Sequence, residues 1–451
     1  MVINGQKIKK KVFHILSNNL EQDYYKVLKE NQEDKDLVKK ITILIKKLNG
    51  KTTYIDGIID WIAKKLYEPE FYDICDQNIN LIGFNNGVYD TQLKEFRNGK
   101  PSDYITKSAG YDFPTSPTNY KNDIEDFLKK LYPNESIRQY TLQMLANSLY
   151  GGKFEDIVLT HTGRGQNGKS ILQQLIKDTF GEYFFEIPST YLTKQNKMEA
   201  GKAESLWTNL NGVRIATSNE PSDGQKMNDS LIKIIGSKEG IKYRTLYSGI
   251  MQDLKIQFQL HIFCNNKIEY DAKDGGLKRR LKVVDYNSKF VKEQDYNEKN
   301  EKNNIYLADY KLSEKVNNWK SDFMLMLIHL YDPNYIYIEP EEIVKSSNKY
   351  ADDNDDIKKF VNDYFEMTNN PKDYLLLKNL KALYQSNKEF DQSKLKNLKE
   401  HLEREFNSDF KEKGKVKINN KFVDVRSIIY GWKLISNEEE DDEEEKSNLD
   451  I

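Results

Sequence analysis

One short stretch of the sequence carries most of its recognisable chemistry. Residues 163–170 read Gly163-Arg164-Gly165-Gln166-Asn167-Gly168-Lys169-Ser170, a Gly-x-x-x-x-Gly-Lys-Ser pattern. Glycines at both ends let successive backbone N–H groups curl around phosphate oxygens without a Cβ in the way. Lys169 is spaced to reach the β- and γ-phosphates of a nucleoside triphosphate, and the Ser170 hydroxyl to ligate magnesium. ATP and Mg2+ are therefore the expected ligands. Hydrolysis needs three further groups: a carboxylate that holds the metal or polarises water, a polar side chain that senses the γ-phosphate, and a cation for transition-state charge. Glu220 closes an apolar run and suits the first role. Asn265, with Asn266 beside it, suits the second, and Arg279 or Arg280 the third. An arginine finger is worth about 10³–10⁵ in rate.

Such a loop works only between a strand and a helix. The apolar residues 157–160 precede it, and Ile171, Leu172, Leu175 and Ile176 follow at helical spacing. Further β-branched or aromatic runs stand at 213–218, 260–264 and 281–286, each separated from the next by a longer segment. This alternation predicts an α/β ATPase core around a parallel sheet, expected over residues 123–350. An N-terminal domain is expected over residues 1–122. In it Ile55, Ile58, Ile59, Ile62 and Leu66 recur as one helical face, and the apolar run at 81–84 meets the turn residues Asn85-Asn86-Gly87. A Pro/Ser/Thr/Asn-rich stretch at 113–122 reads as a linker, 292–304 as a solvated charged loop, and Asp352–Asp356 as a second boundary.

Charge sharpens this division. The 451 residues hold 69 Lys+Arg against 71 Asp+Glu, a formal net charge of −2. Residues 438–451 alone hold nine acids and one base, so the preceding 437 residues carry a net +6. A mildly basic body with an acidic appendage fits work on nucleic acid. Mean hydropathy is −0.78, and no apolar run approaches the ~18 residues that a membrane span needs. The N-terminus lacks the apolar region of a signal peptide. Two distant cysteines and five scattered histidines offer neither a disulfide framework nor a zinc site, which fits a reducing, intracellular compartment.

Taken together, the segments GRGQNGKS, NEPSDGQKMNDSLIK, IKYRTLY, FCNNKIEYDAKDGGLKRRLKVVDY and NSKFV resemble a superfamily 3 helicase of the poxvirus primase-helicase type, found in large DNA viruses and related phage and plasmid replication proteins. LIGFNNGVYD and DYITKSAGYDF resemble the domain that precedes the helicase core there, so the likeness covers about residues 80–291. It implies an AAA+-like core that assembles as a ring, typically a hexamer, and moves along single-stranded DNA. Lys169 and Ser170 then take the Walker A role, Glu220 the Walker B role and Asn265 the sensor position. Arg280 or Arg279 becomes the finger reaching the neighbouring subunit. A loop that enters the ring channel is implied between Glu220 and Asn265, where Lys233, Lys238, Lys242 and Arg244 fall. The family's Thr-Gly-Gly-Asp is replaced here by Gly236-Ser237-Lys238-Glu239, and Ile268 stands where proline is usual. The residues upstream of the core leave little room for a primase domain, so priming is expected from a separate protein. In a virus, the site of action would be the host cytoplasm or nucleus.

Residues 351–437 read as a small helix-rich unit ending in a β-hairpin around Asn419-Asn420, with Lys411, Lys413, Lys415, Lys417, Lys421 and Arg426 on or near it. Helices plus a basic hairpin suggest a winged-helix-like module whose Lys415 and Lys417 contact DNA phosphates. The tail at 438–451 has almost no apolar content and is expected to be disordered, competing with DNA for basic surfaces or docking a basic partner. The sequence thus predicts an ATP-dependent replicative DNA helicase acting on single-stranded and forked DNA. Alternatives are another nucleic-acid motor, such as an RNA helicase-like or packaging ATPase, and a non-enzymatic origin-binding assembly factor.

Overall fold

The computed structural model describes residues 34–50, 52–65, 71–152, 155–194, 202–219, 226–237, 239–244, 251–270, 275–370, 372–387, 390, 392–418 and 421–435, with a few helical residues between 19 and 30. The chain opens with helices α1 (Lys35–Gly50), α2 (Thr52–Lys65) and the single turn α3 (Phe71–Ile74). Helix α2 is the one announced by the isoleucine spacing. Strands β1 (Leu81–Phe84), β2 (Gly87–Asp90) and β3 (Glu95–Arg97) form an antiparallel meander, and Asn85-Asn86 make the tight turn between the first two.

Helices α4 (Lys121–Leu131) and α5 (Glu135–Asn147) lead into the central layer. The Asn134 side chain caps α5 by accepting from the Ser136 and Ile137 amides. Then follow β4 (Val158–Thr162), α6 (Lys169–Phe180), β5 (Phe184–Glu186), α7 (Lys202–Asn209), β6 (Ile215–Asn219) and α8 (Asp229–Gly236). A two-stranded antiparallel hairpin, β7 (Ile241–Arg244) and β8 (Met251–Leu254), is inserted before β9 (Gln259–Cys264), α9 (Gly275–Arg280) and β10 (Leu281–Asp285). The five long-range strands make one parallel sheet in the order β10-β4-β9-β6-β5. Strands β4 and β9 are buried along their whole length, as strands covered on both faces are.

The stretch at 113–122 does not separate two cores. Phe113 stacks on Phe96 with ring centroids 4.3 Å apart. The buried Asp322 carboxylate accepts from the Thr118 amide and hydroxyl at 2.7 and 2.8 Å and from the Tyr120 amide at 3.1 Å. One buried cluster runs from Ile82 and Phe84 of the meander through α4, α5 and α6 to Phe323, Met324 and Ile343. A polar composition suggested a linker, but the polar groups are spent on a buried carboxylate. Two contacts tie the meander down further: Gly83 N–H donates to the Tyr183 hydroxyl at 2.7 Å, and the buried Arg214 guanidinium donates to the Leu81 carbonyl at 3.3 Å.

Beyond β10, strands β11 (Lys289–Val291) and β12 (Ile305–Leu307) pair in parallel, with exposed residues and short 3-10 turns between them. Helices α10 (Leu312–Val316), α11 (Lys320–Leu330) and α12 (Glu341–Asp353) complete this body. Asp355 then caps α13 (Asp356–Tyr364), inside the Asp352–Asp356 run, by accepting from the Ile357 and Lys358 amides. The C-terminal unit continues through β13 (Phe365–Met367), β14 (Tyr374–Leu376), α14 (Leu377–Ser386), α15 (Leu398–Phe406), β15 (Phe410–Ile418), β16 (Lys421–Tyr430) and β17 (Trp432–Leu434). Its three-stranded sheet has the order β14-β16-β15, and Ile357, Phe360, Tyr384, Leu398, Leu402 and Ile429 form a core of its own. The acidic tail lies outside the described residues.

Candidate nucleotide site at the carboxyl edge of the sheet

In a parallel sheet every strand ends on the same side, and ligands bind in the crevice beyond those ends. Loop 163–168 leaves β4 at that edge and enters α6, whose N-terminus presents backbone amides and positive partial charge. Gly168 is the N-cap, with φ 83°. A Cβ there would stand in the left-handed region and 2.7 Å from Leu131 Cδ1, so glycine is required on both counts. A Cβ on Gly163 would lie 2.5 Å from Asn167 Nδ2. Gln166 also has positive φ, 58°, and its carbonyl accepts from the Phe290 amide at 2.8 Å, pinning the loop to β11.

Lys169 lies folded across the loop. Its Nζ donates to Gly163 O at 2.5 Å, to Cys264 O at 2.8 Å and to Asn265 Oδ1 at 3.0 Å. The structure therefore joins the loop lysine directly to Asn265 at the end of the neighbouring strand β9. Thr162 braces the same point, its hydroxyl donating to Asn265 O at 3.3 Å. Asn167 is buried and its Nδ2 has no partner; Ser170 and Arg164 are exposed. A buried donor without an acceptor is costly. An anion in the cradle would supply acceptors there and for Lys169, so these residues fit a phosphate.

Strand β6 ends at Asn219, whose Nδ2 donates to Glu186 Oε1 at the tip of β5 at 2.8 Å. Glu220, the next residue, lies outside the described residues, as does Lys238. Strand β9 thus stands between the loop strand and the strand that leads to Glu220.

Beneath the loop runs a buried polar row absent from the sequence reading. The Tyr132 and Tyr286 hydroxyls hydrogen-bond to each other. The Tyr286 hydroxyl is 3.0 Å from His161 Nδ1, and His161 Nε2 is 3.0 Å from His261 Nδ1. Burial holds the His161 imidazole well below its ordinary range, with neighbouring His261 and Lys169 adding to the effect, and pushes His261 down to about 3. With both rings neutral, each His–His and His–Tyr contact carries a single proton, so one partner donates and the other accepts at every link. Nothing in the sequence pairs residues about 100 positions apart; only the β4–β9 register does so.

The arginines sit elsewhere. Helix α9 precedes β10, so Arg279 and Arg280 lie at the opposite, amino edge of the sheet. Leu281 pairs with Val158 at the start of β4; five strand residues at ~3.3 Å each put the arginines roughly 16 Å from their own phosphate loop. Arg279 is exposed. Arg280 is turned inward, donating to Gly276 O at 2.8 Å and packing against Gly236 of α8. Lys233 lies half-buried on α8, whereas Lys242 and Arg244 are on β7 of the inserted hairpin. Lys415 and Lys417 are far off in sequence, exposed along β15.

Among the described residues no cluster of histidine, cysteine and carboxylate groups could hold a metal, and no helix is long and apolar enough to cross a membrane.

Parallel sheet, loop and lysine define a P-loop α/β protein. Residues 3–133 match the family model described as "D5 N terminal like". The chain is 32% identical over 373 residues to "Putative helicase L207/L206" of Acanthamoeba polyphaga mimivirus, covering 79% of this chain and 38% of that protein. It is 27% identical over 286 residues to "Putative helicase 121R" of Invertebrate iridescent virus 3, covering 60% and 30%. It is 21% identical over 285 residues to "Putative primase C962R" of African swine fever virus (isolate Tick/Malawi/Lil 20-1/1983), covering 61% and 29%. Over these stretches the chain is similar to proteins named as putative helicases and primases of large DNA viruses, and it spans about a third of the length of these curated relatives.

Proposed function

We propose that this protein is an ATP-dependent DNA helicase of the superfamily 3 type, whose AAA+-like subunits hydrolyse ATP at the interfaces of a ring while moving along single-stranded DNA. The observation that carries the reading is the direct Lys169–Asn265 contact at the carboxyl edge of a sheet ordered β10-β4-β9-β6-β5. It supports a site in which loop amides and Lys169 take the triphosphate and Asn265, released from Lys169, faces the terminal phosphate. Residues 163–168, Lys169 and Ser170 would hold ATP, and Ser170 with Glu220 the magnesium, which would neutralise phosphate charge when bound.

Placement of the arginines supports action in trans. With its backbone roughly 16 Å from its own loop at the opposite edge of the sheet, Arg279 does not reach its own γ-phosphate, so a role for it requires a neighbouring copy. Being exposed, Arg279 is the better placed finger, and Arg280 braces α9 against α8. The β7–β8 hairpin, which carries Lys242, is the element suited to line the channel, and Arg244, Lys233 and Lys238 are the further cations proposed to contact DNA. In the C-terminal unit the order helix, two short strands, two helices and hairpin supports a winged-helix-like module, with Lys415 and Lys417 on its wing. The N-terminal segment, ATPase core and C-terminal unit act as three functional parts, the first two sharing one packed core.

The reading is tested by ATP turnover with and without single-stranded DNA. Stimulation by DNA that disappears in Lys169→Ala is expected; turnover indifferent to DNA would refute a translocating motor.

A further inference from the structure

The hairpin β15–β16 carries a feature that phosphate binding does not explain. Its register sets Lys413 opposite Arg426, Lys415 opposite Asp424, and Lys417 opposite Phe422. Paired residues in antiparallel strands share a face, so one face presents Lys413, Lys415, Lys417 and Arg426, with Asp424 the one acid among them and Phe422 at the end beside the turn. Phe422 is 73% exposed. The opposite face carries Gly414, the buried Val416 and Val425. Tyr430 reaches over Gly414, its hydroxyl accepting from Lys415 N at 3.1 Å and donating to Lys415 O at 3.2 Å. A side chain at residue 414 would collide with that hydroxyl. The hairpin is therefore braced at its middle and projects as a stiff element. Phe422 lies seven residues beyond the fully buried Ile429, which at ~3.3 Å per residue places it roughly 23 Å from the domain core.

A phenyl ring at that distance adds nothing to the core, and the side chains beside it on its own face are Lys417, Lys415 and Asp424, the last two an exposed ion pair at 3.8 Å. Cationic side chains that follow a phosphate backbone, ending in an aromatic face, form the pattern that binds unpaired bases by stacking. We propose that Phe422 is a base-stacking residue: the lysine row along β15 holds one strand's phosphates at a junction between single- and double-stranded DNA, and Phe422 packs against the terminal exposed base. The wing would then mark the point at which strands part. This assignment rests on the reading of the protein as a DNA motor, but it concerns binding and is testable without turnover.

The experiment measures equilibrium binding of a labelled forked DNA to the full chain, without nucleotide, across a salt series. Phe422→Ala should weaken fork binding roughly 10- to 100-fold, the range for losing one stacked base, with the salt slope unchanged. Phe422→Trp should restore affinity, and its added indole emission should be quenched by the fork beyond any change in wild type. Lys413→Ala, Lys415→Ala and Lys417→Ala combined should lower the salt slope by about two to three, one counterion per lost contact. Phe422 is exposed, so its variants should keep the wild-type circular dichroism. Affinity within two-fold of wild type for Phe422→Ala, with no quenching at residue 422, would overturn the proposal. A Phe422 effect on binding without DNA-stimulated ATP hydrolysis would instead defeat the motor reading alone. Intact hydrolysis and unwinding without any Phe422 effect would defeat this assignment alone.

Discussion

If the arginines of α9 act across a subunit interface, two inactive variants should repair each other. Lys169→Ala removes the cation that reaches the phosphates but leaves Arg279 and Arg280 in place. The double variant Arg279→Ala/Arg280→Ala keeps the loop and loses the finger. The roughly 16 Å between α9 and its own loop forbids repair within one chain. In a ring assembled from equal amounts of the two, half the loops and half the fingers are intact. A complete site needs one of each from adjacent subunits, so about a quarter of interfaces are complete. Each pure variant should lose about 10³-fold or more of its turnover, and the mixture should recover about a quarter of wild-type ATPase if interfaces fire independently. The assay is steady-state phosphate release over a titration of one variant into the other, with mixed assembly verified by differently tagged chains. No recovery in verified mixed oligomers would refute action in trans.

Three other outcomes follow from the structure. His161 and His261 are held neutral by burial, so their folded-state pKa values lie below the unfolded value of about 6.5; the unfolded chain binds more protons at low pH, and stability falls as pH drops below 6.5. Between pH 7.5 and 5.5 the pair should cost about 2–3 kcal/mol, read as a falling urea midpoint; an equal slope in His161→Phe/His261→Gln would contradict it. Arg214→Ala should destabilise the core by about 3 kcal/mol or more, because the Gly212 and Leu81 carbonyls and the Gln257 amide oxygen lose a buried donor; a change under 1 kcal/mol in denaturant unfolding would show that these contacts are idle. Deleting residues 438–451 should tighten DNA binding at low salt and have little effect at high salt, and unchanged low-salt affinity would rule out competition by the tail.

The legible and illegible parts of this molecule divide along physical lines. The strand–loop–helix unit around residues 163–168 could be read because its glycines, lysine and flanking apolar residues are contiguous, and the turn into the helix requires glycine at 168. Strands β4, β6, β9 and β10 could be read because each is a run of five or six residues rich in β-branched or apolar side chains, set off from the next by a longer segment. The three-residue edge strand β5 has no such run, and the β7–β8 hairpin is too short and mixed in composition to declare itself. Asp322 shows a different limit. Its carboxylate is satisfied by Thr118 and Tyr120 some 200 residues earlier, so a segment that reads as a loose linker is in fact fastened to the core. The Tyr132–Tyr286–His161–His261 row exists only through strand register. Arg280 turns toward its own helix and leaves Arg279 the outward-facing one of the pair, although the resemblance puts Arg280 first.

In the proposed function, Lys169, Asn265 and the loop at 163–168 together drive strand separation. Its most direct test is displacement of a labelled strand from a forked duplex by the full chain with ATP and Mg2+. The account predicts displacement by wild type that requires ATP, is lost in Lys169→Ala, and is strongly reduced in Asn265→Ala while nucleotide binding survives. Displacement that persists in Lys169→Ala, or hydrolysis that never displaces a strand from any fork, would contradict it.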